Sequence, residues 1–336
     1  MTTGIKSGSL YTLHVSKIKN HVINVIERPS VSLWHRRLGH MSKKGMEILS
    51  CSGYLLGFSF HDFEFYEHCI YGKQTQTPHK SKGNRPEHRL ALVHNDLCGS
   101  MPSLLLGGVA YFCTFIDDYS WKVWVYFLKN KDEVLSFFKT FLQLVENQSS
   151  KKLKCWRTDN AGEYVSKAFA DFCDSKGIKH KLTARYNPLQ NGVTERMNRT
   201  IQEKVRSMLS NADLTQGFWA KAVATVVHLI NRSPSKVLDK EAVAKMVWSS
   251  KKPSYKHLRV FGSEVYSHIP KEFWNKLEPK SRKCIFLGYG EFGEMGYQLW
   301  DAESRKVVCS NDVYFNEAKF YAKPERLKKL EELFLG

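Results

Sequence analysis

Apolar and polar positions alternate with different periods along the chain, and the changes of period mark its elements. Residues 90–97, 109–116 and 123–128 are rich in β-branched, aromatic and other apolar side chains. Breaks at Gly99-Ser100 and at 117–120 separate them. That spacing predicts three strands in an antiparallel meander. Val134, Phe137, Phe138, Phe141, Leu142 and Val145 then recur at helical intervals, with Asn130 and Glu133 as a capping pair at the start. A strand over 153–158, a helix over 166–175, a strand over 178–182 and a long helix over 192–209 follow. Another helix covers 218–230. Beyond Pro253 the pattern is all β, with strands over 258–261, 264–269, 284–289, 297–301 and 306–315. Three strands followed by alternating helices and strands is the order of a ribonuclease-H-like α/β domain. The last stretch fits a small barrel or sandwich.

Charge changes the picture. Lys and Arg number 51 against 33 Asp and Glu, a formal net charge of +18. A folded chain this basic meets a polyanion, and nucleic acid is the first expectation. The alternative is a basic enzyme whose cations are only a solvated face. No run approaches the ~18 apolar residues of a membrane helix. The first nine residues lack the layout of a signal peptide. The eight cysteines are scattered without a CxxC, which predicts reduced thiols and an intracellular place, nucleus or cytoplasm.

Three acids stand out by position. Asp96 lies inside the first strand, Asp159 ends a later one, and Glu195 opens the long helix. An acid inside an apolar strand is costly unless it is paired or holds a cation. Along the helix, Val193, Met197, Ile201, Val205 and Met208 form an apolar stripe. Glu195, Asn198, Arg199, Gln202 and Arg206 form the opposite stripe. Glu195 is therefore expected to face away from the apolar stripe, with Asn198 and Arg199 beside it where a phosphate would sit. Two strand acids and one helix acid can hold two Mg²⁺ (or Mn²⁺) ions and drive an in-line displacement at phosphorus. Taken singly, such residues are ordinary surface acids.

Their surroundings are more specific. Thirty-five residues lie between Asp159 and Glu195, and the acids sit in His94-Asn95-Asp96-Leu97-Cys98-Gly99, Arg157-Thr158-Asp159-Asn160-Ala161-Gly162-Glu163-Tyr164 and Asn191-Gly192-Val193-Thr194-Glu195-Arg196-Met197-Asn198-Arg199-Thr200. With Phe115-Ile116-Asp117-Asp118-Tyr119-Ser120, these words resemble the integrase core of copia-type LTR retrotransposon polyproteins. The resemblance runs from about 31 to 317. It continues through Trp34-His35-Arg36-Arg37-Leu38-Gly39-His40, Leu229-Ile230-Asn231-Arg232-Ser233-Pro234, Phe286-Leu287-Gly288-Tyr289 and Asp312-Val313-Tyr314-Phe315. It implies an α/β fold with a ribonuclease-H-like integrase core, a small N-terminal zinc-finger-like segment and a C-terminal all-β SH3-like barrel. It implies 3′-end processing and strand transfer of DNA, with Asp96, Asp159 and Glu195 as catalytic metal ligands. The partners expected are element ends and target DNA and further copies of the chain, with neither membrane nor small-molecule substrate. Tyr186, Asn191, Arg196, Asn198 and Arg199 are the expected DNA contacts.

The same resemblance marks His35, His40 and Cys69 as zinc ligands, with Tyr66 where the family has a fourth, cysteine ligand. A structural zinc wants four closed N/S ligands. Residues 31–75 are therefore expected to hold zinc weakly and to order only partly; His61, Asp62 or His68 are substitutes that the spacing does not require. Ala161 stands where the family has glycine, a loss if that turn needs a positive φ. These departures, and the lack of protease or reverse-transcriptase segments around the chain, favour an alternative expectation: a degenerate remnant that binds nucleic acid without integrating it. The expected organisation is an unassigned segment 1–30, the pre-integrase segment 31–75, a linker 76–87, the core with its following helices 88–250, the barrel 251–318 and a tail 319–336. The tail's amphipathic 325–334 reads as a docking helix.

Overall fold

A computed structural model describes residues 4–7, 10–13, 30–55, 67–69, 86–101, 108–183, 192–238, 242–273, 275–290 and 296–320. Strands β1 (Gly4–Ser7) and β2 (Leu10–Leu13) form an antiparallel hairpin. Helices α1 (Val31–Arg37) and α2 (Lys43–Cys51) follow. Each is started by a serine: Ser30 Oγ accepts from the Leu33 N–H at 3.1 Å and Ser42 Oγ from the Gly45 N–H at 3.3 Å.

The central sheet comprises β3 (Val93–Gly99), β4 (Tyr111–Asp117), β5 (Val123–Leu128), β6 (Cys155–Thr158) and β7 (Lys179–Leu182) in the order β5-β4-β3-β6-β7. The first three strands are the expected antiparallel meander; β6 runs parallel to β3, and β7 parallel to β6. Helices cover both faces, which is why β4 is apolar almost throughout. Its Phe115 stacks on Phe141 of α3 (Val134–Ser149) at 4.2 Å, and Phe138 of the same helix stacks on Trp156 at 4.0 Å. The alternate residues Phe112 and Ile116 join the other core, with α5 (Gly192–Asn211) and α6 (Trp219–Ile230). Helix α4 (Lys167–Lys176) ends at Gly177 with φ +65°, the left-handed cap glycine favours. The expected capping pair is present: the Asn130 N–H donates to Glu133 Oε2 at 3.1 Å. A short α7 (Ala244–Ser249) precedes the last sheet.

That sheet holds β8 (Ser263–His268), β9 (Ser281–Tyr289), β10 (Tyr297–Asp301), β11 (Lys306–Ser310) and β12 (Val313–Phe320), in the order β11-β10-β9-β8-β12. Strands β11 and β12 lie on opposite edges, yet only Asn311 and Asp312 separate them. Three residue steps reach at most about 11 Å, so the two edges must approach and the sheet must curl into a barrel. The single strand expected over 306–315 is thus two strands broken by a turn. The expected strand over 258–261 is absent. Its apolar residues Leu258, Val260 and Phe261 are buried, but the backbone makes turns (Leu258 N–H to Tyr255 O, Ser263 N–H to Val260 O). Burial without period-2 pairing accounts for the apolar run.

Of the segment 31–75, residues 31–55 and 67–69 are among the described residues, and 31–55 are packed. Val31, Trp34, Leu38, Met46 and Leu49 sit in one hydrophobic core with Met208 of α5, Leu229 of α6 and Val265 and Phe286 of the barrel. Arg37 also pairs with Glu317 of β12. The N-terminal helices, central α5–α6 pair and barrel therefore share a core. Tyr66, residues 76–85 of the linker and residues 321–336 of the tail lie outside the described residues, while 319 and 320 belong to β12. Gly262 is one seam of this packing: its φ is +80°, and a Cβ there would lie 2.2 Å from Ala212 Cβ. Gly262→Ala is expected to cost about 2–4 kcal/mol, from overpacking and left-handed strain together. Ala212→Gly in the same chain should return part of it, and urea unfolding monitored at both the barrel and the central sheet should show one shared transition.

Candidate active site and metal centre

The register of two parallel strands sets the acids side by side. Val93 pairs with Trp156 and His94 with Arg157. Two residues further along each chain come Asp96 and, just past the end of β6, Asp159. Helix α5 packs across β3 and β4 and brings Glu195, exposed in its first turn, to the same place. Asp96 feels the charges of both other acids.

One amide fixes Asp96. Asn198 Nδ2 donates to Asp96 Oδ2 at 2.9 Å, and Thr114 Oγ1, directly across the β3–β4 ladder, donates to Asn198 Oδ1 at 3.0 Å. The Thr114 hydroxyl engages the Asn198 oxygen and so turns the amide nitrogen toward the carboxylate. Asn198 is 6% exposed. This corrects its expected place on the open DNA-facing stripe: the buried stripe of α5 is Thr194, Asn198, Ile201, Val205 and Met208. Arg196 and Arg199 are exposed beside Glu195, as expected. Tyr186 and Asn191 lie outside the described residues.

Burial, then the charge of Asp159, pushes the Asp96 carboxyl up to about 7. The Leu97 N–H and the Asn198 amide oppose that rise, and Glu195 adds to it. Asp159 is also raised, by burial first, with Glu163 adding and the Ala161 N–H (3.2 Å from Oδ1) and Lys131 opposing. Ala161 is not among the residues of positive φ, so this turn does not need the family's glycine. Sequence reasoning missed Thr114, Lys131 and the inward role of Asn198. Only the Asn198 position, three residues after Glu195, carried a signal, and it was polar in a buried stripe.

A second cluster lies against the other end of α5. His35 Nε2 is 3.2 Å and His40 Nδ1 3.4 Å from Cys69 Sγ. Both histidines are buried. Among the described residues this is the one group of three His, Cys, Asp or Glu whose ligand atoms all lie within 4.8 Å of one another. His35 Nδ1 lies 2.8 Å from Met41 O. That acceptor calls for the proton on Nδ1 and leaves the Nε2 lone pair for a metal. Ser207 Oγ donates to His68 O at 3.1 Å and Ser210 Oγ is 2.8 Å from His68 Nδ1, so the segment that carries Cys69 is tied to α5. His68 is thereby engaged with Ser210. The donor set, two imidazoles and a thiol, suits Zn²⁺.

The raised Asp96 has a thermodynamic consequence. A folded carboxyl lifted from 3.8 to about 7 destabilises the cation-free chain fully above pH 7 and not at all below pH 4. Asp96→Asn should therefore raise stability at pH 8 by on the order of 2 kcal/mol, with the gain vanishing toward pH 4. Thermal melts across that range, without divalent ions, read this directly; a gain independent of pH would contradict it.

Three family models match the chain: a GAG-pre-integrase domain over residues 9–74, an integrase core domain over 87–188 and a retroviral polymerase SH3-like domain over 263–329. Asp96 and Asp159 fall inside the core match and Glu195 just beyond it. The chain is 44% identical over 328 residues to the retrovirus-related Pol polyprotein from transposon TNT 1-94 of Nicotiana tabacum, covering 98% of this chain and 24% of that protein. It is 31% identical over 291 residues to the Pol polyprotein from transposon RE1 of Arabidopsis thaliana, covering 86% and 19%. The chain thus spans at most about a quarter of the relatives it matches. Among solved structures, a chain of the simian T-cell lymphotropic virus intasome aligns with TM-score 0.40 and 18% identity, over 75% of this chain and 85% of that one. The HTLV-2 integrase catalytic core domain in complex with magnesium aligns with TM-score 0.36 and 19% identity, over 48% and 99%. With matches to pre-integrase, integrase core and SH3-like domains in this order, the chain is similar along nearly its whole length to a part of the retrovirus-related Pol polyproteins of transposons.

Proposed function

We propose that this chain is the integrase of a copia-type element, a Mg²⁺-dependent polynucleotidyl transferase that processes DNA 3′ ends and joins them to target DNA. The observation that carries the reading is the meeting of Asp96, Asp159 and Glu195, with Asp96 held at a raised pKa by burial and by its neighbours' charge. Such a site accumulates negative charge that a bound cation relieves at pH values where the proton is lost. The ligands are all oxygen, as Mg²⁺ prefers, and the carboxyl groups are not drawn into one tight cluster, so water and substrate phosphate oxygens complete the set. When bound, the metal ions polarise the attacking and leaving oxygens at phosphorus. The chain's own groups do the rest. Asn198, set by Thr114, fixes the Asp96 carboxylate. Exposed Arg196 and Arg199 neutralise phosphates of the bound strand. The +18 charge draws DNA to the surface.

The His35, His40 and Cys69 group is the proposed zinc site, and its link through His68 to Ser207 and Ser210 makes it a brace for α5. A thiolate and two imidazoles leave a fourth position to a ligand outside the described residues, where Tyr66 is a poor substitute for cysteine. The turn at Ala161 has no positive φ, so that departure does not favour the remnant reading, while Tyr66 lies outside the described residues.

Strand transfer of an oligonucleotide carrying the element's end tests the proposal. Asp96→Asn, Asp159→Asn and Glu195→Gln should each abolish joining, and the triple change should do no further harm, because the acids act as a unit. Binding of a DNA duplex should persist in all of them and weaken by ~10³-fold or more between about 50 and 200 mM salt, if six or more phosphates are neutralised. Near-normal joining by Glu195→Gln would sink the assignment. Separately, Cys69→Ser should lose bound zinc and Tyr66→Cys should hold it more tightly, read as metal content after dialysis against a mild chelator.

A further inference from the structure

The turn Asn231-Arg232-Ser233-Pro234 is a strong word of the sequence that the acid site leaves unused. In the structure Asn231 is a buried node. Its side chain behaves as a strand residue at the edge of β5: Val123 N–H donates to Asn231 Oδ1 at 2.8 Å, and Asn231 Nδ2 donates to Val123 O at 2.8 Å. Its own carbonyl accepts from the Lys245 N–H at 2.7 Å. These bonds bring together Arg232, next to Asn231, Lys245, bonded to it, and Lys122, next to the bonded Val123. One turn back on α6, His228 Nε2 lies 3.2 Å from His257 Nε2, and Arg232 Nη1 donates to the His228 carbonyl at 3.0 Å.

Five basic residues are therefore neighbours where the central sheet, the α6–α7 connection and the barrel join, with Arg232 and Lys245 acting electrostatically on both Lys122 and His228. Among the described residues none of them forms an ion pair with a carboxylate. The acid facing Lys122 is Asp117, whose oxygens already accept from Leu90 N–H, Ser120 N–H and Ser120 Oγ. The Lys122 ammonium is instead packed 4.4 Å and 4.9 Å from the ring centres of Trp124 and Trp248. Arg232 Nε is buried without a hydrogen-bond partner. Tyr255, whose hydroxyl donates to the Arg232 carbonyl at 2.6 Å, Tyr289, stacked on His228 at 4.0 Å, Tyr297, whose hydroxyl donates to the His257 carbonyl at 3.1 Å, and Arg259, whose charge acts on His257, also lie against the cluster. Gathering like charges in a half-buried place costs free energy unless a counter-charge arrives. Each of Lys122, Lys245 and His228 is held in its neutral form more readily by burial and by its cationic neighbours.

We infer that this junction is a binding site for a phosphate-type oxyanion, held by Arg232 and Lys245 with His228, His257 and Lys122 around it. The donor set is a planar guanidinium with an unpaired N–H beside ammonium and imidazole groups, the combination that matches tetrahedral oxyanions. The anion comes either free, as phosphate or pyrophosphate, or as a backbone phosphate of bound nucleic acid. In both cases it ties three parts of the fold together at a point separate from the acid triad.

Thermal melts of the full chain in sodium phosphate and in sodium chloride of matched ionic strength test the inference. Phosphate at ten or more times its dissociation constant should raise the midpoint by about 2 °C or more over chloride. Lys245→Gln and Arg232→Gln should each lose that difference while keeping the chloride response. Titration calorimetry of the unmodified chain with phosphate provides a reading that no variant's folding affects. Duplex DNA binding separates the sources. If the site holds a backbone phosphate, Lys245→Gln lowers DNA affinity and reduces the slope of log affinity against log salt by about 1. If the anion is free, DNA affinity is unchanged while the phosphate response is lost. No phosphate-specific shift or heat in the unmodified chain, or a shift that both variants retain, overturns the site.

Discussion

Repulsion between carboxylates in a partly buried place is the constraint around which the acid site is organised. Parallel pairing of β3 and β6 puts Asp96 and Asp159 at one level, and α5 adds Glu195. Burial first, and then the charges of Asp159 and Glu195 that water cannot fully screen, lift the Asp96 carboxyl to about 7. A fold that only sought stability would place an apolar residue in β3 here. Instead it keeps the acid and supports it with a hydrogen-bonded chain from Thr114 through Asn198. That support works on geometry as well as charge, since it fixes which oxygen of Asp96 is engaged and which is left for a ligand.

Helix α5 transmits this arrangement to the rest of the molecule. Its first turn carries Glu195, its second carries Asn198, and its far end meets the His35, His40 and Cys69 cluster through Ser207 and Ser210. The apolar residues between them are shared with α1, α6 and the barrel. Position of the acid site is thus coupled to packing of segments far away in sequence. A metal at the histidine cluster would brace the same helix that delivers the third acid. The basic junction around Asn231 lies at the C-terminal end of α6, the neighbour of α5, and joins the parts from another side.

Local periodicity made much of this legible in the sequence. The meander, α3, α5 and α6 follow from periods of 2 and 3.6, and the acids were visible because charged residues interrupt apolar strands. What escaped was non-local. Asn198 was assigned to the open face because a polar residue in a helical stripe normally faces water; its burial depends on Thr114 and Asp96, distant in sequence. The apolar run 258–261 is buried without pairing, which no alternation could distinguish from a strand. Division of 306–315 into two strands depends on the barrel closing on itself. Packing of α1 and α2 into the common core could not be read from a segment judged by its zinc ligands alone.

Proton release on metal binding tests the central claim most directly. At pH near 7 the Asp96 carboxyl is close to half protonated in the cation-free chain, and a divalent ion bound to it must displace that proton. Mixing the chain with Mg²⁺ or Mn²⁺ in weak buffer and following the pH should show a fraction of a proton released per chain, growing as the starting pH falls from 8 to 6.5 and absent in Asp96→Asn. Binding of the ion with no proton release at any of these pH values would show that Asp96 is not raised, or is not a ligand, and would contradict the account.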